Sequence, residues 1–123
     1  MTFSQAVASG IQNYVNFNGR ASRSAYWYWI LFSLVVYLIA GALDRILFET
    51  GEMIVTPFNG LAYLALFLPT LALAVRRFHD MDRTGWWVLL GFTGIGGIIM
   101  IIWFCQPGTR GANRFGPDPL GSA

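Results

Sequence analysis

Three apolar runs without a charged side chain, residues 25–43, 56–75 and 86–104, constrain this chain more than anything else in it. A helix crosses a hydrocarbon core with roughly 20 consecutive apolar residues, and each run approaches that length. Charged residues make up only 11% of the 123 positions, against roughly 25% in an ordinary soluble domain. That composition cannot cover a water-facing surface of usual polarity. It predicts an all-α integral membrane protein with one membrane domain, 1–123.

The runs have distinct punctuation. Residues 1–18 carry no charge, and Phe3, Val7, Ile11, Tyr14 and Val15 share one helical face. This predicts an amphipathic helix, lying in the interface or packed on the rest of the protein. It is not expected to be a secretory signal peptide, since it lacks a positive n-region and a continuous apolar h-region. Asn18-Gly19 signals a turn, and Ser22 is placed to cap the first membrane helix, 25–43. Tyr26 and Trp27 at its start, with Trp86 and Trp87 at the start of the third run, read as interfacial anchors. In the second helix, 56–75, Pro57 marks the beginning and Pro69 lies deep enough to free a backbone carbonyl and kink it.

The third run, 86–104, contains Gly91-Phe92-Thr93-Gly94-Ile95-Gly96-Gly97. Small residues let helices approach closely in lipid, so Gly94, Gly96 and Gly97 are the candidate surface for a homo-oligomer. A broken or re-entrant helix is the alternative. The polar tail, 105–123, is rich in Gly and Pro and is ordered only if it docks. Cys105 stands alone, which rules out an intrachain disulfide, and reads as a small buried hydrophobe.

Charge concentrates between the second and third runs, in Arg76-Arg77-Phe78-His79-Asp80-Met81-Asp82-Arg83-Thr84-Gly85-Trp86-Trp87, read as a loop at a membrane surface. All eight cations are arginine. Arg20, Arg23, Arg76, Arg77 and Arg83 flank the runs on one side, five cations against the single Arg45, which is accompanied by Asp44, Glu49 and Glu52. Positive charge is retained on the cytoplasmic side, so the amino terminus and the loop over 76–83 are expected there. Three full crossings, the expected arrangement, would carry Arg110 and Arg114 to the opposite side. A re-entrant third run would bring them back.

Arg20, Arg23, Arg76, Arg77, His79, Asp80 and Arg83 form the candidate ligand-binding group. Arginine grips phosphate bidentately, and basic pockets between helices bind anionic headgroups. Membrane lipids, anionic phospholipid among them, are therefore the candidate partners; nucleic acid is not. The competing explanation is that the arginines obey topology and that Asp80 and Asp82 pair with Arg76, Arg77 or Arg83, with Asp82 or Thr84 capping the third helix. Catalysis is not expected, because no nucleophile sits in a recognisable motif with His79. Neither a metal nor a cofactor is expected, since one His and two Asp lack zinc-site spacing. No ionisable residue lies deep in a run, which counts against a monomeric proton-coupled transporter; an oligomeric transporter or channel is a further alternative.

Three motifs stand in order: Phe17-x-Gly19-Arg20-x-x-Arg23-x-x-Tyr26-Trp27, then Arg76-Arg77-x-His79-Asp80-x-x-x-x-Gly85-Trp86-Trp87, then Pro107-Gly108-Thr109 with Asn113-Arg114-Phe115-Gly116-Pro117-Asp118-Pro119. From about Tyr14 to Pro119 the chain resembles the domain of unknown function 805 family of bacterial inner-membrane proteins. The resemblance implies a small multi-pass protein of the inner (plasma) membrane and names no reaction or ligand. Thr84 stands where the family more often has Ser, and Thr93-Gly94 replaces a proline expected midway through the third run, which removes one reason to expect a break. The function expected is that of a structural or partner-binding membrane component, with anionic-ligand binding by the arginine group as the alternative.

Overall fold

The computed structural model describes residues 2–48, 51 and 56–120. Glu49 and Glu52 lie outside them. Helix α1 (Phe3–Gln12) opens with a capping box: Thr2 Oγ1 accepts from Gln5 N at 3.2 Å, and Gln5 Oε1 accepts from Thr2 N at 2.9 Å. Ala6 and Gly10 are buried, Gly10 lies against the Trp29 indole, and Phe3 meets Tyr28 edge-on. The amphipathic segment thus packs on the next helix, over a shorter stretch than 1–18.

Helices α2 (Arg23–Leu47) and α3 (Pro57–Asp80) form an antiparallel pair. Contacts along them run in opposite chain directions. Trp29 Nε1 donates to Thr70 Oγ1 at 3.0 Å, the Tyr37 and Tyr63 rings lie 4.5 Å apart, and the Asp44 carboxylate accepts from Phe58 N and Asn59 N at 2.8 and 3.0 Å. Ser22 caps α2 as expected, its hydroxyl accepting from Ala25 N. Asp44 does not end α2, as the sequence suggested; it stays helical, is buried, and caps the start of α3. At about 1.5 Å per residue both helices exceed the roughly 30 Å of a hydrocarbon core. Among the described residues they are the two long and apolar enough to cross a membrane.

Pro69 sits buried inside α3 and has no N–H for the Ala65 carbonyl four residues earlier. The Tyr14 hydroxyl, arriving from the segment after α1, donates to that carbonyl. A freed backbone acceptor in apolar surroundings is costly unless partnered, and the N-terminal segment supplies the partner.

Two expectations change at the end of α3. Arg76 to Asp80 are helical, so the polar stretch is half helix and the connection is only 81–84. The helix stops because Asp82 takes φ 58°, allowing Arg83 N to donate to Phe78 O at 2.9 Å. Neither Asp82 nor Thr84 caps the next element, since Thr84 makes no side-chain capping bond.

The single helix expected over 86–104 is replaced by two limbs, a 3₁₀ segment (Gly85–Phe92) and helix α4 (Gly94–Phe104). Thr93 breaks them: its hydroxyl accepts from Gly96 N at 3.0 Å and donates to Leu90 O at 2.9 Å. A Cβ on Gly96 would overlap that hydroxyl and the Leu90 carbonyl, so the corner needs glycine there. Each limb reaches only about 16 Å, from 2.0 Å per residue in 3₁₀ and 1.5 Å in α geometry. The limbs fold back on each other, with Trp87 and Trp103 rings 5.5 Å apart. Phe104 then packs on Tyr26 and Phe78 at 4.6 and 4.8 Å. The tail therefore emerges at the same end of the helix pair as the start of α2. Cys105, at that exit, is exposed rather than buried.

Tyr14→Phe should lower stability by about 1 kcal/mol in denaturant or thermal unfolding in detergent. Adding Pro69→Ala, which restores an N–H to the Ala65 carbonyl, should recover most of that loss. A silent Tyr14→Phe, or no recovery in the double variant, contradicts the pairing.

Candidate functional site

At the end where α2 begins and α3 finishes, the Asp80 carboxylate is held between two guanidinium groups. Arg20 brings Nε to 3.0 Å and Nη2 to 2.9 Å from Oδ1, while Arg77 Nη1 lies 2.8 Å from Oδ2. The side chains of Arg20, Arg77 and Asp80 are 1%, 0% and 5% exposed. Charges this deep persist only when paired and hydrogen-bonded. Arg77 and Asp80 meet because they are one helical turn apart; Arg20 reaches them from the turn before α2, where Ala21 N donates to Arg76 O at 3.0 Å.

The remaining donors reach into the tail. Arg20 Nη1 donates to Gly111 O at 2.6 Å and Gly116 O at 3.3 Å, and Nη2 donates to Thr109 O. Arg77 Nη2 donates to Phe104 O at 3.0 Å and Gln106 O at 2.5 Å. The backbone of Asp80 joins in, its carbonyl accepting from Thr109 N at 2.7 Å. Gly108 lies directly on Asp80: a Cβ there would overlap both the carboxylate and the carbonyl of Asp80. One ion cluster thus clasps the turn before α2, the end of α3, the end of α4 and the tail.

His79 lies beside the clasp but faces another way, as adjacent helical residues must. Its Nδ1–H donates to Gly19 O at 2.9 Å, and its ring stacks on Phe115 with centroids 4.0 Å apart. Asn113 Nδ2 donates to His79 O at 2.9 Å. Asp82 pairs with Arg114 at 3.2 Å, both well exposed, an arrangement worth at most about 1 kcal/mol. Arg83 lies over the Trp103 ring at 4.0 Å and reaches Trp87 at 5.7 Å. Arg23 donates to Cys105 O at 3.2 Å. Arg76 is buried, and among the described residues its Nε and Nη2, like Arg77 Nε, have no hydrogen-bond partner.

Of the seven candidate residues, then, Arg20, Arg77 and Asp80 converge, His79 flanks them, and Arg23, Arg76 and Arg83 each stand elsewhere. Arg20, not Arg23, is the outside arginine that reaches the Asp80 group. Tyr26 and Trp27 face inward, Trp27 Nε1 donating to Phe104 O at 3.1 Å, whereas Trp86 is exposed. Gly96 is used within the chain, while Gly94 meets nothing. No three His, Cys, Asp or Glu side chains gather as metal ligands among the described residues. Gly108, Thr109, Asn113 and Phe115 belong to the site although sequence reasoning assigned them no role. Their signal was their place in a short motif after the last apolar run.

The family described as "Protein of unknown function (DUF805)" matches residues 14–117. The chain belongs to this family. The matched span takes in Tyr14, the three clasp residues and every tail carbonyl that they bind. Inner membrane protein YhaH of Escherichia coli (strain K12) is 45% identical over 113 residues, covering 89% of this chain and 91% of that protein. Inner membrane protein YhaI of the same organism is 44% identical over 113 residues, covering 90% and 92%. No solved structure matches the chain. This DUF805 protein is an inner-membrane protein.

Asp80→Asn leaves two arginines facing a neutral amide and should cost about 3–5 kcal/mol in unfolding experiments. Gly108→Ala, which changes no charge, should also destabilise by displacing the carboxylate. If both variants unfold within about 0.5 kcal/mol of the parent, the clasp is not what holds the tail.

Proposed function

We propose that this DUF805 protein is a structural, partner-binding component of the inner membrane. Two membrane helices and a half-depth hairpin would carry an ordered cap on the cytoplasmic face, built from the N-terminal turn, the end of α3 and the tail. The observation that carries the reading is the clasp itself. Arg20 and Arg77 donate to Asp80, to the Phe104 carbonyl at the end of α4 and to four tail carbonyls, at Gln106, Thr109, Gly111 and Gly116. A phosphate would have to displace those bonds, whereas a fixed tail gains from them. The bond from His79 Nδ1 to Gly19 O and the stacking on Phe115 likewise favour a structural role over proton transfer.

Orientation is argued from the same end of the molecule. Seven of the eight arginines, all but Arg45, belong to segments gathered there. The positive-inside rule assigns that end to the cytoplasm. A third run that turns back at Thr93 brings Arg110 and Arg114 into agreement with the rule, so both termini are assigned to the cytoplasmic side and the membrane is crossed twice.

A fluorescent protein fused after Ala123 should fluoresce, and alkaline phosphatase at the same point should be inactive; active phosphatase contradicts the topology. For the partner, a photo-crosslinking residue at exposed Arg110 should give a discrete protein adduct in intact cells, lost with Asp80→Asn. No adduct from the parent, or one indifferent to Asp80, removes the partner-binding reading.

A further inference from the structure

Arg76 is a buried arginine that the clasp does not explain, and unlike Arg23 and Arg83 it is not engaged by a carbonyl or an aromatic ring among the described residues. It is 5% exposed, and among the described residues its Nε and Nη2 have no hydrogen-bond partner and no carboxylate forms an ion pair with it. Asp118, in the adjoining tail, has its carboxylate oxygens engaged by Gly111 N and Leu120 N. A guanidinium removed from water without a counter-charge is among the costliest groups a fold can contain. Arg76 is also not surrounded by packed side chains on every side. It lines a partly enclosed cavity of about 90 Å³ with Ser9, Ser22, Ala25 and Leu120.

The cavity lies at the start of α2, where the dipole of a 25-residue helix places partial positive charge. Ser9 and Ser22 line it, and so does Arg20, a second cation that is itself paired with Asp80. The volume admits one tetrahedral oxyanion and little more. Arg76 is one helical turn from the end of α3, at the level where apolar span gives way to polar cap.

We propose that this cavity is a phosphate-binding site, with Arg76 as its principal ligand and the Ser9 and Ser22 hydroxyls as further donors. The phosphate group is either that of an anionic phospholipid or free phosphate; the chemistry at Arg76 is the same. The site adjoins the clasp through Arg20, whose guanidinium is already bonded to Asp80, Thr109, Gly111 and Gly116, and does not depend on the partner-binding reading.

The test uses the full chain in nanodiscs. In phosphatidylcholine discs, inorganic phosphate should raise the melting temperature in a saturable manner if free phosphate is the ligand. In phosphatidylglycerol discs without added phosphate, the melting temperature should exceed that in phosphatidylcholine if a headgroup is. Arg76→Gln should weaken either response roughly ten- to hundred-fold, the usual loss when a charge-assisted hydrogen-bonded ligand contact is removed. Ser9→Glu guards against a variant that merely folds poorly, since it places a carboxylate on the cavity wall as an internal counter-ion. It should keep or raise the basal melting temperature while abolishing the response. Absence of a response in both kinds of disc, or a response unchanged by Arg76→Gln and Ser9→Glu, overturns the proposal.

Discussion

The structure depends on one buried carboxylate. Asp80 stands at the last turn of a membrane helix, and without Arg20 and Arg77 its charge could not remain in that position. With them, the cost of burial becomes a source of order. Two arginines have more donors than one carboxylate can use, and the surplus falls on backbone carbonyls of a tail rich in glycine and proline. Those carbonyls have few partners of their own. The clasp thus joins segments more than 90 residues apart, Arg20 to Gly116, and determines the end of the molecule from which the chain leaves.

Backbone satisfaction governs the apolar part in the same way. Where lipid replaces water, each carbonyl and amide needs a protein partner. Asp44 supplies it for the first amides of α3, Tyr14 for the carbonyl freed by Pro69, and Thr93 for the corner of the hairpin. Each is a polar side chain from a neighbouring segment or turn placed against one backbone defect. The hairpin can therefore stop at about half the depth of a hydrocarbon core without exposing broken backbone at its corner.

A feature was legible in the sequence to the extent that its cause is local. Length and hydropathy are local, so the two membrane helices, the Ser22 cap and the class of protein could be read directly. The extension of α3 through residues 76–80 was hidden because a dense charge cluster resembles a loop when its ion pairs are unseen. The break at Thr93 was read against, since a threonine cap is a weaker punctuation mark than the expected proline. The choice of Arg20 over Arg23 as the partner of Asp80 depends on the turn at Gly19, whose carbonyl is held by His79; no periodicity encodes that. The tail was least legible, because its order comes from donors located about 30 to 90 residues away along the chain.

Hydrogen exchange of the tail amides tests the clasp most directly. Thr109 N donates to Asp80 O, and Asn113 and Gly116 exchange a pair of backbone bonds. These amides should be protected in the parent protein and should lose protection in Asp80→Asn, while the amides of α2 and α3 stay protected. Tail amides that exchange freely in the parent, or that remain protected when Asp80 is neutralised, would contradict the account.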